Sequence, residues 1–198
     1  MSRPATNPPH LQLLAISGSL RSHSSNATLL QAAARLAPAG VAITLAPSVG
    51  ELPHFNPDLD GEGDEPPAPV AEFRVRLRAA DGVLICAPEY IHGVPGALKN
   101  ALDWVASTGD LVGKPVALIN ASATSFHAQA ALVETLTVLM AAVTATRIPL
   151  RSNKVTLDAV LADPPTAEAL RAVVGALAAA GAARPISPMT ATEGADDP

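Results

Sequence analysis

The chain has 198 residues, 48% of them hydrophobic and 16% charged, with a net charge of −5. That is enough apolar material for one domain with a core, and too little charge for a disordered chain. Thirteen basic residues against 18 acidic ones argue against nucleic acid as a partner, and a single cysteine, Cys86, excludes a disulfide scaffold.

Residues 1–10 hold one arginine, three prolines and no apolar stretch of the signal-peptide kind, so a flexible start and a cytoplasmic setting are expected. No run of about 18 strongly apolar residues predicts a membrane span. Leu11–Ser17 reads as a strand, 26–36 as a helix and 41–46 as a second strand. The stretch 47–69 is rich in proline and acidic residues and reads as a long loop. A helix over 69–79 follows, with Val70, Phe73 and Leu77 at helical spacing, then a strand over 83–87. Pro95 opens a helix to Ala106, in the first turn where its missing N–H costs nothing. Pro115–Asn120 reads as a strand, 127–142 as a helix, 144–150 as a fifth strand and 166–180 as a last helix; a polar tail over 184–198 is expected to be disordered. Strands alternating with helices predict a five-stranded, doubly wound parallel sheet in a three-layer α/β/α sandwich over 11–183. Ligands bind such sheets beyond the carboxyl ends of the strands, which directs attention to the loops after the first, third and fourth.

The first of these loops, Ser17–Asn26, holds five serines, Gly18, Arg21 and Asn26 and opens a helix. Hydroxyls, backbone N–H groups and a guanidinium at a helix start suit an anion. Neither GxxxxGK[ST] nor GxGxxG is present, so a nucleoside triphosphate or a dinucleotide fold is not indicated, and a terminal phosphate monoester fits better. The same residues also fit a polar loop in which Ser24 or Ser25 merely caps the helix. The loop after the third strand carries the chain's one tyrosine, Tyr90, among two prolines and two glycines, a shape that can face a flat heteroaromatic ligand. Trp104 and Cys86 read as core residues. No triad or carboxylate pair marks a catalytic residue, and the five histidines show no metal-ligand spacing.

The patterns GSLRxxSxN (Gly18 to Asn26) and PEYxxGxPGxLKNxxDW (Pro88 to Trp104), with LPHFNPDLDG (Leu52 to Gly61) between them, resemble the NADPH-dependent FMN reductase family, of flavodoxin-like fold. The resemblance covers about residues 11–150. It implies an oxidoreductase that passes a hydride from NADPH or NADH through FMN to a quinone, azo compound, metal oxyanion or similar small acceptor. The alternative is a flavodoxin-like electron carrier without NAD(P)H activity of its own. Matching positions imply that Ser19, Arg21, Ser24 and Asn26 hold the FMN phosphate, and that Pro88, Glu89, Tyr90 and His92 border the ring. Leu20, Ile91 and Gly93 complete these two loops, and Ser122 and Thr124 reach the ring's polar edge. The helix around Lys99 and Asn100 resembles the family's dimer contact, so a homodimer or homotetramer is expected. Two departures stand out. Ile91 replaces an asparagine common after PEY, and Asn120–His127 lacks the glycines of the family's SASxGxxGG loop, which leaves Phe126 or His127 to fill the nicotinamide-facing space.

Overall fold

Branched apolar runs build the sheet. Five strands, β1 (Leu11–Ser17), β2 (Val41–Leu45), β3 (Gly82–Cys86), β4 (Pro115–Asn120) and β5 (Ala142–Arg147), pair in parallel in the order β2-β1-β3-β4-β5. This is the flavodoxin-like order, whose direction reverses between β1 and β3. The computed structural model describes residues 11–184 apart from 62, 64 and 151–154; the flexible start expected over 1–10 and the tail from 185 onward lie outside the described residues.

Side chains of each inner strand alternate between two cores. Leu13, Ala15, Leu84, Cys86, Ala117 and Ile119 face helices α1 (Ser25–Arg35), α5 (Leu157–Ala162) and α6 (Pro164–Ala183). Leu14, Ile16, Val83, Ile85, Val116 and Leu118 face α2 (Ala68–Ala79), α3 (Gly96–Asp103) and α4 (His127–Val138). By length and composition α6 could cross a membrane. Its Leu170, Val174 and Leu177 are instead buried on the sheet, so it serves as one layer of the sandwich.

The sequence-based bounds of β1 and β4 match the structure residue for residue. Those of α4 and β5 differ. The helix ends at Val138, Met140 turns left-handed (φ 58°), and β5 starts at Ala142, two residues before the expected 144. Gly113 N–H donates to the Met140 carbonyl (2.8 Å) and Ala142 N–H to that of Lys114 (2.9 Å), so the turn before β4 draws the chain into the sheet early. The short helix α5 was not expected. Its N-cap is Thr156, whose hydroxyl accepts from Ala159 N–H, and Asp163 then caps α6 with Pro164 at the first position, as a helix start allows.

The loop after β2 is pinned by side chains rather than by backbone pairing. Trp104, fully buried, donates its indole N–H to the Pro53 carbonyl (2.8 Å) and meets the Phe55 ring edge-on at 5.0 Å. Asn100 donates to the same carbonyl (2.9 Å) and accepts from Phe55 N–H (2.7 Å). Arg74, buried on α2, binds Asp60 (2.6 Å) and donates its Nε–H to the Trp104 carbonyl (2.8 Å). Burial pushes the Asp60 carboxyl up, but the Ser107 hydroxyl and the Arg74 guanidinium outweigh it and hold it below its ordinary value. The latch therefore stabilises the fold above the unfolded carboxyl's value of about 3.9, and loses that contribution as pH falls through the lower folded one.

At the opposite end of the sheet, Lys114 is buried and donates to the carbonyls of Leu77, Arg78 (3.3 Å) and Ala80 (2.7 Å), which close the end of α2. Burial lowers its pKa to about 8. Lys114→Met leaves these carbonyls without their donor and is expected to cost about 1–3 kcal/mol in chemical denaturation. The sign of the pH effect follows from linkage. Between about 8 and the unfolded value of about 10.4 the unfolded chain binds more protons, so wild-type stability rises with pH there. The gap between wild type and variant should widen across that window and stay flat just below it.

Candidate functional site

The β1–β3 register sets Ser17 opposite Cys86, so the loops that follow leave the sheet side by side. Gly18 N–H donates to the Cys86 carbonyl (2.9 Å). A Cβ on Gly18 would lie 2.7 Å from the Ala87 Cβ and 2.9 Å from Leu98 Cδ2, so only glycine allows this approach. Above it opens a cleft of about 430 Å³ between the loops after β1, β3 and β4.

One end of the cleft is the start of α1. Ser24 is the N-cap by position, yet its side chain makes no cap hydrogen bond, so capping does not account for its hydroxyl. The first N–H groups of a helix have no intrahelical partner. With Ser19, Arg21, Ser24, Ser25 and Asn26 all lining the cleft, this end is a cluster of donors. Ser19 is set by its neighbour: Ser17 Oγ accepts from Ser19 N–H and donates to the Ser19 carbonyl, both at 3.3 Å.

The second wall is the loop after β3, where Pro88, Glu89 and Tyr90 line the cleft. Tyr90 and Gly93 exchange backbone hydrogen bonds of 3.1 and 2.9 Å around Ile91 and His92, both left-handed at φ 49° and 55°. This is a two-residue turn of the type that asparagine and glycine favour. Ile91 is fully exposed, Tyr90 half exposed. Glu89 anchors its carboxylate on the neighbouring helix: Oε2 accepts from Ala128 N–H (2.9 Å) at the first turn of α4. His92 stacks on His127, ring centroids 4.1 Å apart. Two contacts thus tie this loop to the start of α4.

The third wall, the loop after β4, is organised by its own side chains. Asn120 Oδ1 accepts from Ser122 N–H (2.9 Å), and Ser122 Oγ accepts from Thr124 N–H (3.1 Å) and Ser125 N–H (3.2 Å). Serine and asparagine side chains thereby replace glycine as the means of holding a tight loop. Ser122, Thr124 and Ser125 line the cleft. Phe126 and His127 do not fill it. The Arg147 guanidinium lies 4.3 Å over the Phe126 ring on the β5 side, and His127 is taken by His92.

Of the residues expected from sequence, Ser19, Arg21, Ser24, Asn26, Pro88, Glu89, Tyr90, Ser122 and Thr124 line the cleft, whereas Leu20, Ile91, His92 and Gly93 do not. Ser25, Ser125 and Leu150 line it unexpectedly. The two serines adjoin expected positions. Leu150 arrives because Ile148 and Leu150 N–H groups bond to Asn120 and Ala121 (2.9 Å each), continuing the β5 backbone beside the β4 loop. Of the helix expected at a dimer contact, Lys99 and Asp103 face outward as an ion pair, while Asn100 and Trp104 turn onto the loop after β2. Among the described residues no three His, Cys, Asp or Glu side chains gather as a metal site.

A β-branched residue in a left-handed turn costs about 1–3 kcal/mol. Ile91→Gly should therefore raise stability by about 1 kcal/mol, after allowing for the looser unfolded chain, read as a higher denaturant midpoint at unchanged slope.

The family model described as NADPH-dependent FMN reductase matches residues 11–160. Over 118 residues the chain is 44% identical to an NAD(P)H-dependent FMN reductase of Pseudomonas aeruginosa, covering 59% of this chain and 62% of that one. Over 114 residues it is 39% identical to a quinone reductase of Escherichia coli K12, covering 57% and 60%. The chain thus matches about 60% of the length of these curated relatives. FerB, a flavoenzyme NAD(P)H:(acceptor) oxidoreductase of Paracoccus denitrificans, superposes with a TM-score of 0.69 at 28% identity over 87% of this chain and 97% of that one. A flavodoxin, WrbA-like protein of Agrobacterium tumefaciens, at 14% identity and a TM-score of 0.57 over 87% and 98%, shares the fold. With the cleft at the carboxyl ends of a β2-β1-β3-β4-β5 sheet and the matched segment spanning all of its walls, the chain belongs to the NADPH-dependent FMN reductase family.

Proposed function

We propose that this chain binds FMN in the cleft and acts as an oxidoreductase between NAD(P)H and a small acceptor such as a quinone, azo compound or metal oxyanion. The observation that carries the reading is the uncapped start of α1, where hydroxyls, an amide and a guanidinium converge at one end of a cleft of about 430 Å³ with no acceptor for them among the described residues. That donor set fits a phosphate monoester. The other end, between the Tyr90 loop and the loop after β4, offers a hydroxyl-lined slot for a ring system.

FMN, when bound, supplies the redox chemistry, accepting electrons from the nucleotide and releasing them to the acceptor. The protein's part is to bind and orient. Ser19, Arg21, Ser24 and Asn26 hold the phosphate. Pro88 and Tyr90 shape one wall of the ring site, and Ser122 and Thr124 present their hydroxyls to its polar edge. Donors fixed in this way stabilise negative charge without moving during reaction. Glu89 has a structural part: its carboxylate holds the α4 start in place. A second copy of the chain is proposed to pack near Lys99 and Asp103, the outward side of α3, and a cytoplasmic setting suits a chain whose one thiol is buried and unpaired.

Anaerobic addition of NADPH to FMN-loaded protein tests the activity. Loss of the yellow absorbance and its return on adding a quinone are expected; persistent colour would leave the electron-carrier reading instead. For the phosphate, Arg21→Ala should weaken FMN binding by about 1.5–3 kcal/mol, roughly ten- to hundredfold, and leave riboflavin binding unchanged. Equal wild-type affinity for FMN and riboflavin would refute the assignment. Light scattering at micromolar concentration should give at least a dimer mass.

A further inference from the structure

Cys86 sits at the end of β3 in the apolar core against α1, fully buried. Its Sγ lies 3.2 Å from Asn26 Oδ1, a contact between residues 60 positions apart. Asn26 is itself only 6% exposed and lines the cleft in the first turn of α1. Its Oδ1 is engaged by the thiol, whereas its Nδ2 has no hydrogen-bond partner among the described residues. No fully buried side-chain nitrogen or oxygen in the described structure lacks a partner. The Nδ2 group is therefore not fully buried, and on a residue that lines the cleft it is a donor with no acceptor among the described residues.

An asparagine amide has nearly the same shape in its two flipped orientations, and only its hydrogen bonds decide between them. Burial pushes the Cys86 thiol far above its ordinary pKa, so the sulfur keeps its hydrogen across the neutral range. A permanent S–H beside the amide favours the oxygen toward the core and the NH₂ group toward the cleft. In the reverse orientation the amide oxygen would set its lone pairs against an incoming anion.

We propose that Cys86 is a positioning residue for the cofactor phosphate: through its thiol it fixes the Asn26 amide with Nδ2 presented to the phosphate oxygens. This rests on the reading of the α1 start as the FMN phosphate site. The Cys86 carbonyl also receives Gly18 N–H (2.9 Å), so one strand-end residue holds both the entry of the phosphate loop and its last polar side chain.

The test compares FMN with riboflavin, measured as dissociation constants by flavin fluorescence on wild type, Cys86→Ala, Cys86→Ser, Asn26→Ala and the double variant Cys86→Ala/Asn26→Ala. Loss of one hydrogen bond predicts about fivefold weaker FMN binding in Cys86→Ala, with riboflavin unchanged. Cys86→Ser, which keeps an O–H donor, should recover most of the loss. Asn26→Ala should lose at least as much, and the double variant no more than Asn26→Ala, because the thiol acts only through the amide. Should Cys86→Ala fail to fold, Cys86→Val fills the space without a donor and makes the same comparison. If Asn26→Ala leaves the FMN-to-riboflavin ratio at the wild-type value, the phosphate reading fails and this proposal with it. If Asn26→Ala lowers the ratio and the cysteine variants do not, the phosphate reading stands and the role of Cys86 is overturned. Equal weakening of both flavins in Cys86→Ala marks a packing defect and also overturns it.

Discussion

The site depends on one close approach. Because Ser17 pairs with Cys86 at the carboxyl end of the sheet, the chain leaving β1 must pass within contact distance of the chain leaving β3. Gly18 makes this possible, lying where a Cβ would strike Ala87 and Leu98. Any larger residue would push the two loops apart, and the donors of the α1 start would lose their relation to the Tyr90 wall. The strand-order reversal between β1 and β3 opens a crevice at that point, and the glycine keeps the two edges of the crevice in register.

The walls are then fixed by different means, each suited to its place. The start of α1 is held by the fold itself, with Asn26 on Cys86 and Gly18 on the β3 backbone. The Tyr90 loop is held from outside, by Glu89 on Ala128 N–H and His92 on His127. The loop after β4 holds itself through Asn120 and Ser122. Preorganisation of this kind means that little order has to be imposed when a ligand arrives. It also explains how a loop without glycine forms a compact turn there: side-chain oxygens occupy the backbone N–H groups.

The sequence made much of the fold legible, for physical reasons that also explain what it hid. β1, β3 and β4 are covered by helices on both faces, so their sequences are nearly continuous apolar runs, broken in β1 only by Gln12 near its start. β5 is an edge strand of mixed Ala, Thr and Arg whose side chains are largely exposed, and its pattern resembles that of the helix before it, so its start was misplaced. α5 has six residues, too few for a periodic signal. In the site, the donors at the α1 start were readable because they lie within one short segment. The partners that give Glu89, Asn100 and Cys86 their roles lie 39, 45 and 60 positions away, which local pattern cannot show.

Trp104, read from sequence as a core residue, is fully buried, and Asn100 one turn before it works on the same loop. Standing in a helix assigned to subunit contact, they are turned inward and engage the Pro53 carbonyl, while Arg74 and Asp60 close the same loop from α2. A buried arginine needs acceptors close by, and here a carboxylate, a carbonyl and a hydroxyl accept from its Nε and Nη2. The segment joining LPHFNPDLDG to LKNxxDW is therefore one structural unit assembled from two stretches of sequence. Gly50 of the same loop touches Leu20, where a Cβ would come within 2.9 Å, so the latch also backs the loop after β1. Leu20 lines no part of the cleft and is 58% exposed, but its side chain lies against Gly50, so the pinned loop after β2 meets the loop after β1 at that point.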